Sequence, residues 1–152
     1  IIRCTYSFNI NLFIKYSLVC NSYNYQKESK LMKPYYYIAE VVKVYDGDTC
    51  TCIVDLGFKT SVRIKVRLVG IDTPEIRTRD DEEKVRGYAS RDWLREQILG
   101  KKVLLHTSER GKFGRWLGTI WCLEEVKPEF ENSYNKQLIV EGHAKEYWGG
   151  KR

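Results

Sequence analysis

From Tyr35 the chain alternates between apolar and polar positions with the two-residue period of β-strands. Tyr35 to Tyr45 is a β-branched and aromatic run. Asp46-Gly47 is a tight-turn signal before a second run, Thr49 to Leu56. In that run Cys50, Cys52, Val54 and Leu56 share one face. Gly57-Phe58 turns the chain into a third run, Thr60 to Ile71, where Ile64, Val66 and Leu68 alternate with Arg63, Lys65 and Arg67. One face is therefore apolar and the other cationic. The charged stretch Asp72 to Glu83 reads as a loop. The period then changes: Lys84 to Leu99 is helical, with Val85, Tyr88, Ala89, Leu94 and Ile98 near one stripe and Gly100 as the stop. Strands return at Lys102–Thr107 and Arg115–Leu123, and a short helix over Ser133–Glu141 precedes a Gly-rich end. Three meandering strands, a helix and two more strands give the order of a five-stranded OB-type barrel, an α+β fold that is mainly β with about two helices.

A length of 152 residues allows one domain with a tail, and 43% hydrophobic against 30% charged residues excludes wholesale disorder. No stretch approaches the roughly 18 apolar residues of a membrane-spanning helix, so no membrane partner is expected. The net charge of +6 and pI near 9.0 suit a polyanionic partner. The first 31 residues differ from the rest: they lack Gly, Ala, Pro and Asp, and 17 of them are Phe, Tyr, Ile, Asn or Lys, the products of A/T-rich codons. They are expected to be a disordered leader or a non-native translated extension, with the natural start at Met32 and a single domain over 32–152. Asn9, Asn11 and Lys15 interrupt the apolar stretch of this leader, so a targeting peptide is disfavoured and a cytoplasmic location favoured over a secreted one. Residues 32–152 carry 22 basic and 19 acidic groups, a net of only +3, which weakens the argument from charge alone.

The five cysteines (Cys4, Cys20, Cys50, Cys52, Cys122) do not form a disulfide framework, and Cys50 and Cys52 read as small buried apolar residues. His106 and His143 are the only histidines, too few for a His-rich zinc site.

Carboxylates and guanidinium groups fall where the strands end. Asp46-Gly47-Asp48-Thr49 lies at the first hairpin, and Asp72-Thr73-Pro74-Glu75 ends the third run. Together they could place Asp48, Asp72 and the Thr73 carbonyl near one point, an all-oxygen cage for a hard divalent cation. Glu75 could then reach a water and act as its general base. Arg67 and Arg115 are the candidates to neutralise charge on a phosphodiester, since a planar bidentate guanidinium does this better than an ammonium.

The segments Asp46-Gly47-Asp48-Thr49, Arg67-Leu68-Val69-Gly70-Ile71-Asp72-Thr73-Pro74-Glu75 and Lys112-Phe113-Gly114-Arg115, in that order and spacing, resemble the staphylococcal (thermonuclease-like) nuclease family over about residues 36–148. By position, Asp48, Asp72 and Thr73 resemble its calcium ligands and Arg67, Glu75 and Arg115 its catalytic trio. The resemblance implies Ca²⁺-dependent cleavage of DNA and RNA that leaves 3′-phosphate ends. It places Lys112, Phe113, Tyr147 and Trp148 against the substrate. Phe113 stands where the family carries a Tyr, so a hydroxyl contact to phosphate is lost, and Gly111 stands where an acidic residue is common. No protein partner is implied, and a monomer is expected. Two rivals remain: a non-catalytic nucleic-acid-binding barrel, and a ribonuclease built on His106 and His143.

Overall fold

The computed structural model describes residues 35–125 and 127–149; the expectations for residues 1–31 lie outside them. β1 (Tyr36–Asp46) turns through Gly47 and Asp48 into β2 (Thr49–Asp55), with Asp46 facing Thr49 across the turn. β2 pairs antiparallel with β3 (Ser61–Leu68), from Asp55↔Ser61 to Thr49↔Arg67. β5 (Lys102–Arg110) closes against β1, and β6 (Trp116–Cys122) lies antiparallel to β5 and parallel to β3. Among the described residues the order β1-β2-β3-β6-β5 makes a closed barrel, the mainly β, OB-type α+β fold that the sequence predicts.

The third run is shorter than expected. The Leu68 N–H turns to the Asp48 carbonyl (2.8 Å) and the Val69 N–H to that of Gly118 (3.0 Å). After this break β4 (Ile71–Asp72) pairs with β7 (Lys145–Glu146) as a separate ribbon. Leu56 also departs from its alternation: it lies past the end of β2, already in the hairpin that Thr60 closes, and is exposed.

The helix α1 (Asp81–Ile98) begins before Lys84, because the Asp80 side chain accepts from the N–H groups of Glu82 (2.9 Å) and Glu83 (3.3 Å). Asp81, Glu82 and Glu83 then sit favourably at the positive end of its dipole. Its buried face is Gly87, Ser90, Leu94 and Ile98, whereas Val85, Tyr88 and Ala89 of the expected stripe face solvent. The first half of the helix rests on a chain segment that leaves room only for small residues, which a count of apolar positions does not reveal.

Leu94 and Ile98 join Val41, Val44, Val66, Leu68, Leu105 and Ile120 in the barrel core. Cys50 and Cys52 are fully buried there with their sulfurs 3.7 Å apart. The contact with Cys52 and burial push the Cys50 thiol well up, so it stays protonated. Helix α2 (Tyr134–Val140) is capped by Ser133 and pinned by the buried Asn135. The Asn135 amide donates to the carbonyls of Val69 (2.9 Å) and Gly118 (3.2 Å) and accepts from the Ile120 N–H. Each buried aliphatic side chain contributes about 1.5–3 kcal/mol, against about 0–1 kcal/mol for an exposed ion pair. Stability therefore resides in the core, and exposed groups at the rim are free to serve another purpose.

Candidate active site

At the end of the barrel where β1 turns into β2, a cleft of about 510 Å³ opens between the β1–β2 turn, the segment after β4 and the β5–β6 turn. Its walls include Asp46, Asp48, Arg67, Thr73, Glu75 and Arg115, with Lys112, Phe113, Leu117 and Tyr147 around the mouth.

Local folding sets each group in place. The β1–β2 turn presses so closely on α1 that a Cβ at Gly47 would lie 2.8 Å from both Ser90 Cβ and Thr73 Cγ2. This packing sets Asp48 beside Thr73, and Asp48 is almost wholly buried. Arg67 lies in register with Thr49, one residue along from Asp48. Glu75 follows Pro74 on a segment laid directly over Gly87 of α1, where a Cβ would meet the Pro74 carbonyl oxygen at 2.9 Å. The Glu75 N–H donates to Glu83 Oε1 at 3.3 Å, so the helix holds this segment by a hydrogen bond as well.

The charges form a connected set. Arg67 makes an ion pair with Asp48 through Nη1, while its Nη2 donates to Asp72 Oδ1 (3.4 Å) and to the Ile71 carbonyl (3.3 Å). Asp48 Oδ1 accepts from the Thr49 hydroxyl (2.8 Å), whose oxygen accepts from Arg115 Nη1 (3.2 Å). Two guanidinium groups are thus linked through one buried carboxylate and one hydroxyl. Burial and the nearby Arg115 charge lower the Arg67 pKa, while Asp72 and Asp46 partly offset them. Half-buried ion pairs are poor sources of stability because desolvation opposes the attraction. Two arginines side by side also repel one another. Such an arrangement suits an anion that would sit between them.

Asp48 and Asp72 both reach the same guanidinium, so their carboxylates converge on one region, and Asp46 lines the cleft beside them. Among the described residues no group of three or more His, Cys, Asp or Glu side chains gathers to hold a metal. A cation here would meet carboxylate oxygens supplemented by backbone carbonyl and water, a donor set that fits a hard ion such as Ca²⁺ and not a soft one.

Of the residues singled out in the sequence, Asp48, Thr73, Arg67, Glu75, Arg115, Lys112, Phe113 and Tyr147 line this one cleft, and Asp72 lies against Arg67. Trp148 sits elsewhere. Its ring packs on Phe130 (4.9 Å between centroids) over Gly70, and its indole N–H donates to Glu146 (2.7 Å). Tyr147 and Trp148 are neighbours in sequence, yet Tyr147 lines the cleft and Trp148 packs on Phe130. His106 packs on Tyr36 and His143 on Trp93, and neither lines the cleft. Sequence reasoning missed the bridging role of Thr49 and the place of Asp46 in the cleft wall. Both lie inside the Asp46–Thr49 motif, which is where such residues could have been sought.

The fold and the cleft define a closed OB-type barrel that carries paired arginines and clustered carboxylates at one end. The family model described as Staphylococcal nuclease homologue matches residues 65–151, and the chain belongs to this family. It is 34% identical over 110 residues to Protein ParB of Escherichia coli, covering 71% of this chain and 56% of that one. It is 30% identical over 108 residues to a thermonuclease of Staphylococcus hyicus (70% and 57%) and 29% identical over 107 residues to an uncharacterized endonuclease of Haemophilus influenzae (70% and 51%). The chain thus spans little more than half the length of these relatives.

Proposed function

We propose that this protein is a Ca²⁺-dependent nuclease that hydrolyses phosphodiester bonds in DNA and RNA, with Glu75 as general base and Arg67 and Arg115 as the charge clamp. The observation that carries this reading is that Arg67, Glu75 and Arg115, drawn from three separate stretches of chain, line one cleft beside two carboxylates. A non-catalytic binding barrel has no need of an exposed carboxylate, Glu75, in the same cleft as two guanidinium groups, since its charge repels a polyanion.

Asp48, Asp72 and the Thr73 carbonyl are the groups that would hold Ca²⁺, with Asp46 beside them. When bound, the ion would supply Lewis-acid polarisation of a phosphoryl oxygen. Glu75 takes the proton of the attacking water as its oxygen approaches phosphorus. Arg67 and Arg115 donate to the equatorial oxygens, where negative charge grows as the bond to the leaving oxygen lengthens. Thr49 and Asp48 keep both guanidinium groups oriented before substrate arrives, which lowers the reorganisation needed in the transition state. Lys112 and Tyr147 at the mouth contact the adjoining nucleotide, beside Phe113, which is largely exposed.

Digestion of a plasmid and of a structured RNA in Ca²⁺, Mg²⁺ or EDTA tests the proposal. Cleavage of both in Ca²⁺, weaker cleavage in Mg²⁺ and none in EDTA is expected, because Mg²⁺ demands near-octahedral geometry and releases water reluctantly. Undiminished cutting in EDTA, or none in either metal, would overturn it.

A further inference from the structure

The cleft does not end at Glu75 and Arg115. It continues into a groove of about 420 Å³ whose walls add Tyr45, Lys65 and Arg77. That groove in turn shares Tyr45 and Lys65 with another of about 440 Å³, lined by Lys43, Thr51 and Arg63. The strand registers explain this continuity. Lys43 faces Thr51 across β1–β2 and Thr51 faces Lys65 across β2–β3, so the two lysines stand in one row on the outer face of the barrel. Along β3, Arg63, Lys65 and Arg67 project from the same face at every second position, about 6.6 Å apart. The last of these is the arginine of the cleft itself. Tyr45 falls at an irregularity in β1, between Val44 and Asp46. Its ring is exposed, with the ammonium groups of Lys43 and Lys65 at 4.7 and 4.9 Å from its centroid.

We propose that Lys43, Arg63 and Lys65, with Tyr45 among them, form an extended track for the single-stranded polynucleotide whose scissile bond lies in the cleft, the cations taking successive phosphates and Tyr45 a base. This inference rests on the nuclease reading of that cleft and adds to it the part of the substrate beyond the reacting nucleotide. Three cations at every second position on the outer face of β3, with Lys43 of β1 level with the middle one, run into the arginine clamp; they complement a phosphate backbone and fit a compact ligand poorly. The Thr51 hydroxyl donates to the Tyr45 phenol oxygen at 3.3 Å, which anchors the ring. That bond and the charges of Lys43, Lys65 and Arg63 hold the phenol below its ordinary pKa. The lysine contacts to the ring are exposed cation–π pairs, weaker than the charge-assisted bonds those lysines would make to phosphate, so they yield when a strand arrives. The track has an end. Past Arg63 the same surface becomes mixed, with Glu40 and Asp55 among Lys59 and Lys102.

The test compares the full chain with Tyr45→Ala and with the triple change Lys43→Gln, Arg63→Gln, Lys65→Gln. Two substrates are used: a single-stranded oligonucleotide of about a dozen nucleotides, within the reach of an OB-type surface, and a nitrophenyl diester of one nucleotide. Fluorescence anisotropy in EDTA measures oligonucleotide Kd without cleavage, and kinetics in Ca²⁺ measure KM and kcat. Tyr45→Ala should raise the oligonucleotide Kd and KM about five-fold or more, the range of base–aromatic stacking. The triple change should weaken binding further and lower the slope of log Kd against log salt by about 2, from about 0.7 per phosphate contact on a single strand. Both variants should turn over the nitrophenyl diester as the unchanged protein does. If the oligonucleotide Kd, KM and salt slope are unchanged in both variants while the unchanged protein cuts, the track is refuted and the nuclease reading stands. If the unchanged protein cuts neither substrate yet the variants show the predicted loss of binding, the nuclease reading falls and the track survives.

Discussion

Gly87→Ala adds one methyl group on the face of α1 beneath the segment that carries Glu75, so it should slow turnover although Gly87 does not itself line the cleft. A Cβ at this position would lie 2.9 Å from the Pro74 carbonyl oxygen and 3.1 Å from the Glu75 carbonyl carbon and Ile76 Cγ1. Ordinary contact needs about 3.5 Å, so the segment that carries Glu75 must retreat by about half an ångström. Two opposing effects act on stability. Alanine gains about 1 kcal/mol of helix propensity over glycine, and overpacking against backbone costs about 1–3 kcal/mol. The net is a loss of up to about 2 kcal/mol, or a Tm lower by up to about 8 °C for a domain of this size. The effect on chemistry is larger in proportion. A misplacement of about 1 Å can cost about 10²-fold, so half that displacement should lower kcat about ten-fold, with KM little changed because the guanidinium groups do not move. Steady-state kinetics on a fluorogenic oligonucleotide, beside thermal melts, read both quantities. A raised Tm with wild-type kcat would show that helix propensity prevails and that the Glu75 segment does not rest on Gly87.

Three further outcomes are expected. Arg67→Lys and Arg115→Lys keep a charge but lose the planar fork, so each should lower kcat about 10²-fold or more while the melt stays within a few degrees. Phe113→Tyr restores a hydroxyl at the mouth of the cleft, and one net hydrogen bond of about 0.5–1.5 kcal/mol should lower KM about two- to ten-fold without changing kcat; equal KM values would mean that the ring does not meet substrate. Deleting residues 1–31 should leave a cooperative melt and full turnover, and loss of either would make that segment structural.

The β1–β2 hairpin and the alternation of β3 were legible because they are local: Asp46-Gly47 specifies a turn, and one apolar face per strand specifies a register. The long motif from Arg67 to Glu75 was legible for a different reason, since it holds most of the site in one stretch. What escaped was set by distant chain. The inward face of α1 is small because Gly47 and the Pro74–Ile76 segment lie on it, and the helix pattern alone favours Val85 and Tyr88 instead. The β4–β7 ribbon has two residues per strand, too few for any period to show. The Thr49 link to Arg115 spans 66 residues of sequence and exists only once the barrel has closed. The choice of Tyr147 over Trp148 for the cleft depends on which way the chain leaves β7, where the Tyr147 N–H donates to the Gly70 carbonyl at 2.9 Å.

The most direct test of the proposed chemistry is the turnover of Glu75→Gln. The change keeps the size and the backbone contact to Glu83 but removes the basic carboxylate, so kcat in Ca²⁺ should fall about 10²–10⁴-fold. The oligonucleotide Kd should stay the same or tighten, since a negative charge facing a polyanion has been removed, and the melt should hold within a few degrees because Glu75 is exposed. Near-wild-type kcat in the folded variant would contradict the assignment of Glu75 as the base, and with it the mechanism proposed for this cleft.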